Sequence, residues 1–428
     1  MSTIDIVIVG AGVAGLAAAL TLRQAGVPFA LLEASERVGG RAWTVRPPAL
    51  EGAHFDMGAI WLHGAETNPL VPIAACAGER LVDSDAIRHR RTLVGERLVD
   101  RLELAGYAGA WERFETAADA LLAEGGPDPA LAAVALSLTE DPWARTVETW
   151  EGPIICVADA DALSLRDWKH NLLEGGNLLP EGGLGDLVAR RLTPENGLHL
   201  GTTVERLRWQ EPGGKVVVET ARGALEARAA IVTVSTGVLG AGLIDFEPPL
   251  PPRTQEALHG LPMGLALRVV LRATGSDRLG LPPFCSIDRQ FQPGDAAIVF
   301  SAWPWDFNYI SAWIGGSLAW ELARAGPDAA TDFTRRELRK LLGAGADRAL
   351  APRAALISEW GQSPLFLGSY AYARPGHAGA REVLAEPLGG GRLVIAGEAT
   401  HSGLAGTVGG AWLTGETAAR AVMNRRRP

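Results

Sequence analysis

Apolar positions along this chain follow two spacings. Ile4–Val9 is a nearly unbroken run of Ile and Val, the pattern of a strand buried on both faces. Three glycines follow, at 10, 12 and 15. Leu16–Gln24 then carries the Ala- and Leu-rich pattern of a helix, closed by Gly26. Phe29–Leu32 reads as the next strand, ending at Glu33. Further on, the Ala/Leu/Glu/Arg-rich stretch Arg101–Leu136 predicts helix, as do a segment around Ala329–Leu342 and the final Val408–Val422. Leu265–Leu271, Ala297–Ser301 and Ile310–Gly315 predict strands. Residues 1–75, 180–265 and 385–428 share α/β character. Residues 76–179 are helix-rich, and 266–384 mix strands with helix. This pattern predicts a mixed α/β fold with a Rossmann-like domain. The chain leaves that domain and re-enters it twice, so a second domain of mixed sheet and helices is interleaved with it.

The opening run has other possible meanings. Met1–Asp5 carries no positive side chain, so a secretory signal is not expected. The uncharged Ile6–Leu22 is 17 residues long, at the short limit for a membrane span. Its three glycines would each weaken a lone helix by about 1 kcal/mol. The order strand, Gly10-Ala11-Gly12-Val13-Ala14-Gly15, helix, strand, acid is instead that of a dinucleotide-binding turn. Gly10 permits the tight turn, Gly12 lets main chain approach a pyrophosphate, and Gly15 lets the helix sit close on the sheet. Glu33, 18 residues past Gly15, can accept hydrogen bonds from a ribose diol.

Composition narrows the class. With 47% hydrophobic and 21% charged residues, the 428-residue chain reads as globular, long enough for two or three domains. A net charge of −9 argues against a nucleic-acid partner and is compatible with a cationic substrate. Cys76, Cys156 and Cys285 are widely spaced and odd in number, which fits neither a disulfide framework nor a metal site and predicts a reducing, cytoplasmic setting. Trp outnumbers Tyr 13 to 4.

A second glycine pair, Gly39-Gly40-Arg41, follows Glu33 and offers N–H groups and a guanidinium to another phosphate. From here the chain resembles the flavin-containing amine oxidases, which include monoamine oxidases, polyamine oxidases and the flavin-type histone demethylase. The similarity runs through Phe55-Asp56-Met57-Gly58-Ala59-Ile60-Trp61-Leu62-His63-Gly64, closest to the polyamine oxidase form. It continues in Pro180–Leu187, Leu261-Pro262-Met263-Gly264, Trp360-Gly361, Gly368-Ser369-Tyr370, Ala396-Gly397-Glu398-Ala399-Thr400 and Ala405–Ala411. The resemblance implies FAD, held by Gly10, Gly12, Gly15, Glu33, Arg41, Gly58, Ala59, Ile60, Val204, Trp360, Gly397, Glu398, Thr407 and Val408. It implies oxidation of an amine C–N bond to an imine, which is hydrolysed, with oxygen as acceptor giving hydrogen peroxide.

The same resemblance assigns roles at the reacting centre. Tyr370 takes the aromatic position before the flavin, Thr407 the opposite wall, and Trp360 a place beside the cofactor. A cage with Thr407 in place of a second Tyr is open on one side and suits a bulkier or secondary amine. His63 stands where polyamine oxidases place a histidine at the substrate channel. Two departures matter. Ser369 occupies the position where monoamine oxidases attach FAD through Cys, so the FAD is expected to be noncovalent. Arg268 replaces the family Lys that holds a water at the flavin, which leaves the electron acceptor open. At least two of Phe284, Phe291, Trp303, Trp305, Phe307 and Trp313 are expected to line an apolar amine pocket. Two other functions compete: a related flavoenzyme dehydrogenating a C–C bond, as in carotenoid desaturases or protoporphyrinogen oxidase, and a flavin-free binding protein on the same scaffold.

Overall fold

The computed structural model describes residues 4–210 and 214–424. Ile6–Val9 is the centre of a five-stranded parallel sheet, ordered Leu393–Ile395, Ala229–Val232, Ile6–Val9, Phe29–Leu32, Leu198–His199. The absence of alternation in Ile6–Val9 has a direct cause. Ile6 and Ile8 enter one core with the helices Val13–Gln24 and Val408–Asn424, while Val7 and Val9 enter another. That second core includes Leu207, Val216 and Val218 of a four-stranded sheet ordered Gly223–Ala227, Val216–Thr220, Val204–Arg208, Asp245–Glu247.

The first helix starts at Val13, three residues earlier than its apolar pattern predicts, so it begins directly after Gly12. Gly15 therefore sits in its first turn. A Cβ there would lie 1.9 Å from Gly10 O, so only glycine lets the helix lie this close to the turn. The Arg101–Leu136 stretch forms two helices. Arg101–Ala123 opens with a capping box between Asp100 and Glu103, and Ala132–Ser137 follows after the left-handed Gly125 and Gly126.

A seven-stranded sheet is ordered Leu356–Ile357, Ala266–Arg272, Tyr309–Gly315, Ile298–Ala302, Cys285–Arg289, His89–Val94, Arg97–Leu98. The last two strands lie in the stretch read as helix-rich. The polar start His89-Arg90-Arg91 hides a strand that is held by parallel pairing to Cys285–Arg289. One side of this sheet packs on the helices Gly316–Ala325 and Pro327–Leu342. Residues of its strands, including Arg268, Ser286, Ser301, Ser311 and Trp313, line a cavity.

That cavity is also bounded by an unexpected element. Trp150–Cys156 is a π-helix with Pro153 inside it. Proline cannot donate the ordinary helical hydrogen bond and clashes with the preceding turn. The wider turn accommodates it, and such turns cluster at functional sites. The helix lies tight on the end of strand Tyr309–Gly315. A Cβ on Gly315 would be 1.5 Å from Pro153 O, so that glycine is what permits the approach.

Candidate active site

One cavity of about 1160 Å³ runs from the dinucleotide turn to the seven-stranded sheet and the π-helix. Its first half is lined by Gly10, Gly12, Glu33, Gly39, Gly40, Arg41, Gly58, Ala59, Ile60, Val204, Gly397, Glu398, Thr407 and Val408. Gly15 does not reach it; it acts through the packing just described. Gly10 has φ +99°, and a Cβ on Gly12 would meet nothing within 4 Å, so the turn leaves open space above exposed main chain.

Two acids organise this half. Glu33 accepts from Ala11 N at 2.7 Å and from both Ser35 N and Oγ, at 2.8 and 2.7 Å. Glu398 is more embedded than its motif suggests. Its carboxylate takes Arg41 Nη1 at 2.9 Å, with Ala371 N and Gly406 N each at 3.1 Å. It thus ties three segments together beneath the cavity. Thr407 caps the last helix, its Oγ1 accepting from Gly410 N at 2.9 Å and donating to Leu404 O at 2.8 Å.

In the second half, Trp360 is buried and donates Nε1–H to Met57 O at 2.9 Å. Tyr370 lies against Gly406, and its hydroxyl donates to Ile155 O of the π-helix at 2.6 Å. Burial first, then the Cys156 and Glu398 charges, pushes the Tyr370 phenol far above its usual value, so it stays neutral. Phe284, Trp305 and Trp313 line the cavity. Phe291 and Trp303 are buried core, and Phe307 packs behind.

His63 is set by a relay that the sequence does not display. Asn177 Nδ2 donates to Asp85 Oδ2 at 3.0 Å, which turns Asn177 Oδ1 toward His63 Nδ1 at 2.6 Å. A carbonyl oxygen can only accept, so Nδ1 carries the proton and Nε2 keeps its lone pair. Burial lowers the His63 pKa and reinforces the neutral ring.

Arg268 is 6% exposed. Its guanidinium lies over the rings of Phe55, at 4.6 Å, and Trp313, at 4.9 Å. Among the described residues the guanidinium's one hydrogen bond is Nη2 to Ser311 Oγ at 3.4 Å, and Nε and Nη1 have no acceptor. Burial lowers its pKa to about 10, so the charge persists at neutral pH. Arg381, which also lines the cavity, makes a buried bidentate pair with Asp167, at 2.7 and 2.8 Å. Arg381 also donates to Ala371 O and Ala399 O, fixing the strand that carries Tyr370.

The chain matches the family described as flavin containing amine oxidoreductase over residues 13–423. It is 30% identical to polyamine oxidase 3 of Oryza sativa subsp. japonica, covering 96% of this chain and 88% of that one. It is 27% identical to lysine-specific histone demethylase 1 homolog 1 of Arabidopsis thaliana, covering 99% of this chain and 53% of that one. The chain belongs to the flavin-containing amine oxidoreductases. A putrescine oxidase structure with putrescine bound shares the fold, with a TM-score of 0.78 at 19% identity and 99% of both chains covered. The protein is an FAD-dependent amine oxidoreductase, and the desaturase and flavin-free readings are not favoured. The residues fit FAD. The open main chain at Gly12, the acid at Glu33 and the long cavity suit a dinucleotide in the first half. Among the described residues, no helix is long and apolar enough to cross a membrane.

Motif reading brought most of this together but missed Asn177, Asp85, Glu151, Asp167 and Arg381. None stands in a recurring local pattern, so nothing short of the fold could have assembled them.

Proposed function

We propose that this oxidoreductase acts on a di- or polyamine in the cavity's second half, with oxygen as acceptor and hydrogen peroxide as product, in the cytoplasm. FAD is held noncovalently by residues 1–75, 180–265 and 385–428, and substrate mainly by 76–179 and 266–384. One observation carries the reading: a single cavity joins the glycine-lined dinucleotide turn to a wall of Tyr370, Trp360 and His63. The polyamine oxidase relatives and the three free cysteines support the substrate class and the reducing compartment.

When bound, FAD supplies the two-electron acceptor for the carbon beside nitrogen. The protein's share is to present that carbon with its nitrogen neutral. Alkylamines are cations at neutral pH, so a proton must leave first. His63 Nε2, unprotonated and aimed by Asn177, accepts it or orients the nitrogen. The fixed charge of Arg268 and the aromatic walls disfavour an ammonium at this end. Tyr370, with its hydroxyl tied to Ile155 O, presents a ring in one fixed position. Ser369 cannot form the thioether of a covalent flavin; its Oγ accepts from Ala266 N at 2.9 Å instead.

The test is direct. Acid denaturation of the yellow protein is expected to release FAD into the supernatant. In air, amine oxidation is expected to consume one oxygen per peroxide formed. Flavin remaining with the precipitate overturns noncovalent binding. Turnover that needs an added dye overturns oxygen as acceptor.

A further inference from the structure

Five buried carboxylates line the cavity: Glu33, Asp56, Glu151, Asp167 and Glu398. Four are satisfied by protein. Glu33 and Glu398 have the partners given above, and Asp167 has Arg381. Asp56 accepts from Thr44 Oγ1 and from Leu184 N and Gly185 N at 3.1 and 3.4 Å. Glu151 differs. Its one hydrogen-bond donor is the neutral indole N–H of Trp168, at 2.8 Å to Oε2. Among the described residues no cation is paired with Glu151, which is only 8% exposed.

Its surroundings are those of a cation site. Trp111, Trp150 and Trp168 line the cavity with it and belong to one packed cluster. Indoles are the best aromatic partners for an ammonium. Glu115, on helix Arg101–Ala123, also lines this end, and its charge reaches Glu151. Lys169 meets Glu115 and Asp119 at the exposed surface and not Glu151.

The π-helix relates this acid to the reacting wall. Glu151 and Cys156 are five residues apart, one turn in this geometry, and both line the cavity. Ile155 O, beside Cys156, holds the Tyr370 hydroxyl. The cavity is therefore polarised, with an unpaired positive charge at Arg268 on one wall and a carboxylate without a counter-cation one helical turn beyond Tyr370.

We propose that Glu151, with Trp111, Trp150 and Trp168 around it, binds the second ammonium of a di- or polyamine whose first nitrogen is oxidised beside Tyr370. The two poles sort the nitrogens of one substrate. The end near Arg268 favours the neutral nitrogen that can be oxidised, and the end at Glu151 holds the one that stays charged. The inference rests on the di- or polyamine reading above.

The experiment compares Glu151→Gln with wild type on putrescine, a longer polyamine and a monoamine of matching chain length. Gln keeps the shape and an acceptor for Trp168. The ratio of kcat/KM for diamine over monoamine is expected to fall at least tenfold, chiefly through KM. Binding of a non-oxidisable monoquaternary alkyltrimethylammonium, with one fixed charge and an uncharged far end, followed by calorimetry, is expected to weaken at least tenfold. An unchanged ratio with unchanged binding overturns the Glu151 site while leaving the substrate class intact. Should the variant not fold, the wild-type chain-length series decides. A sharp preference for one nitrogen spacing is expected, and a flat series overturns the site. Wild type that oxidises monoamines but no di- or polyamine overturns the substrate class itself.

Discussion

Around Gly12 the cavity wall is main chain, supplied by consecutive residues of a strand, a turn and a helix. Around Glu151 the wall is side chain, supplied by the π-helix, the helices Arg101–Ala123 and Leu165–His170, and the seven-stranded sheet. The first half needs glycine at fixed spacing, since the phosphates of a dinucleotide are recognised by N–H groups and a helix N-terminus. The second half needs charges and rings at fixed positions in space, which distant segments supply. The halves should therefore fail differently. Damage to the first loses flavin, and damage to the second alters turnover or stability while flavin remains.

Breaking the Arg381–Asp167 pair tests the second half most severely. Arg381→Ala leaves a buried carboxylate without its partner, at a cost of about 3–5 kcal/mol. Denaturant unfolding should show this loss, and turnover should fall as the strand carrying Tyr370 loosens. An effect under about 1 kcal/mol would mean the pair is no brace.

Glu151 gives the next effect, through pH. Burial, partly offset by the Trp168 hydrogen bond, raises its pKa from 4.5 to about 7. The unfolded chain releases this proton first, so substrate-free protein becomes easier to unfold as pH rises from 4.5 to 7. The shift corresponds to about 3 kcal/mol at most. Glu151→Gln should remove this slope and melt at a higher temperature than wild type at pH 8, with little difference at pH 4.5. Parallel profiles would refute the assignment.

Two glycines sharpen the contrast within the first half. Gly15→Ala puts a methyl 1.9 Å from Gly10 O and should cost about 1–3 kcal/mol together with flavin loss. Gly12→Ala points into open space. It should leave the melting temperature of flavin-free protein nearly unchanged while weakening FAD affinity, read from flavin retained on dialysis. Equal destabilisation by both would contradict the separate roles.

The smallest effect is at Asn177. Asn177→Leu releases the His63 tautomer without touching flavin contacts, so kcat/KM should fall about tenfold, or ~1.4 kcal/mol. The pH profile should change and the flavin content should not.

This division also explains what could be read before the structure. Gly10, Gly12, Glu33 and Arg41 lie within one strand–turn–helix unit, whose physical demands appear as local spacing. Strands such as Tyr309–Gly315 were legible from their apolar runs. The π-helix was not: Trp150-Glu151-Gly152-Pro153 looks like a helix end, and only packing against Gly315 makes it a wall. His63 was legible through its resemblance, but Asn177 and Asp85, which set its proton, lie in a distant loop and in the short helix Ser84–Ile87, and neither carries a motif. Arg268 was visible as a departure, and its stacking between Phe55 and Trp313 required three strands to meet.

The central claim is that one cavity places an amine against FAD beside Tyr370. Anaerobic titration of the purified yellow protein with putrescine, longer polyamines and monoamines, followed at the flavin absorbance band, tests it most directly. The account predicts stoichiometric bleaching by di- or polyamines. A protein that purifies without flavin, or a flavin band that no amine bleaches, would contradict it.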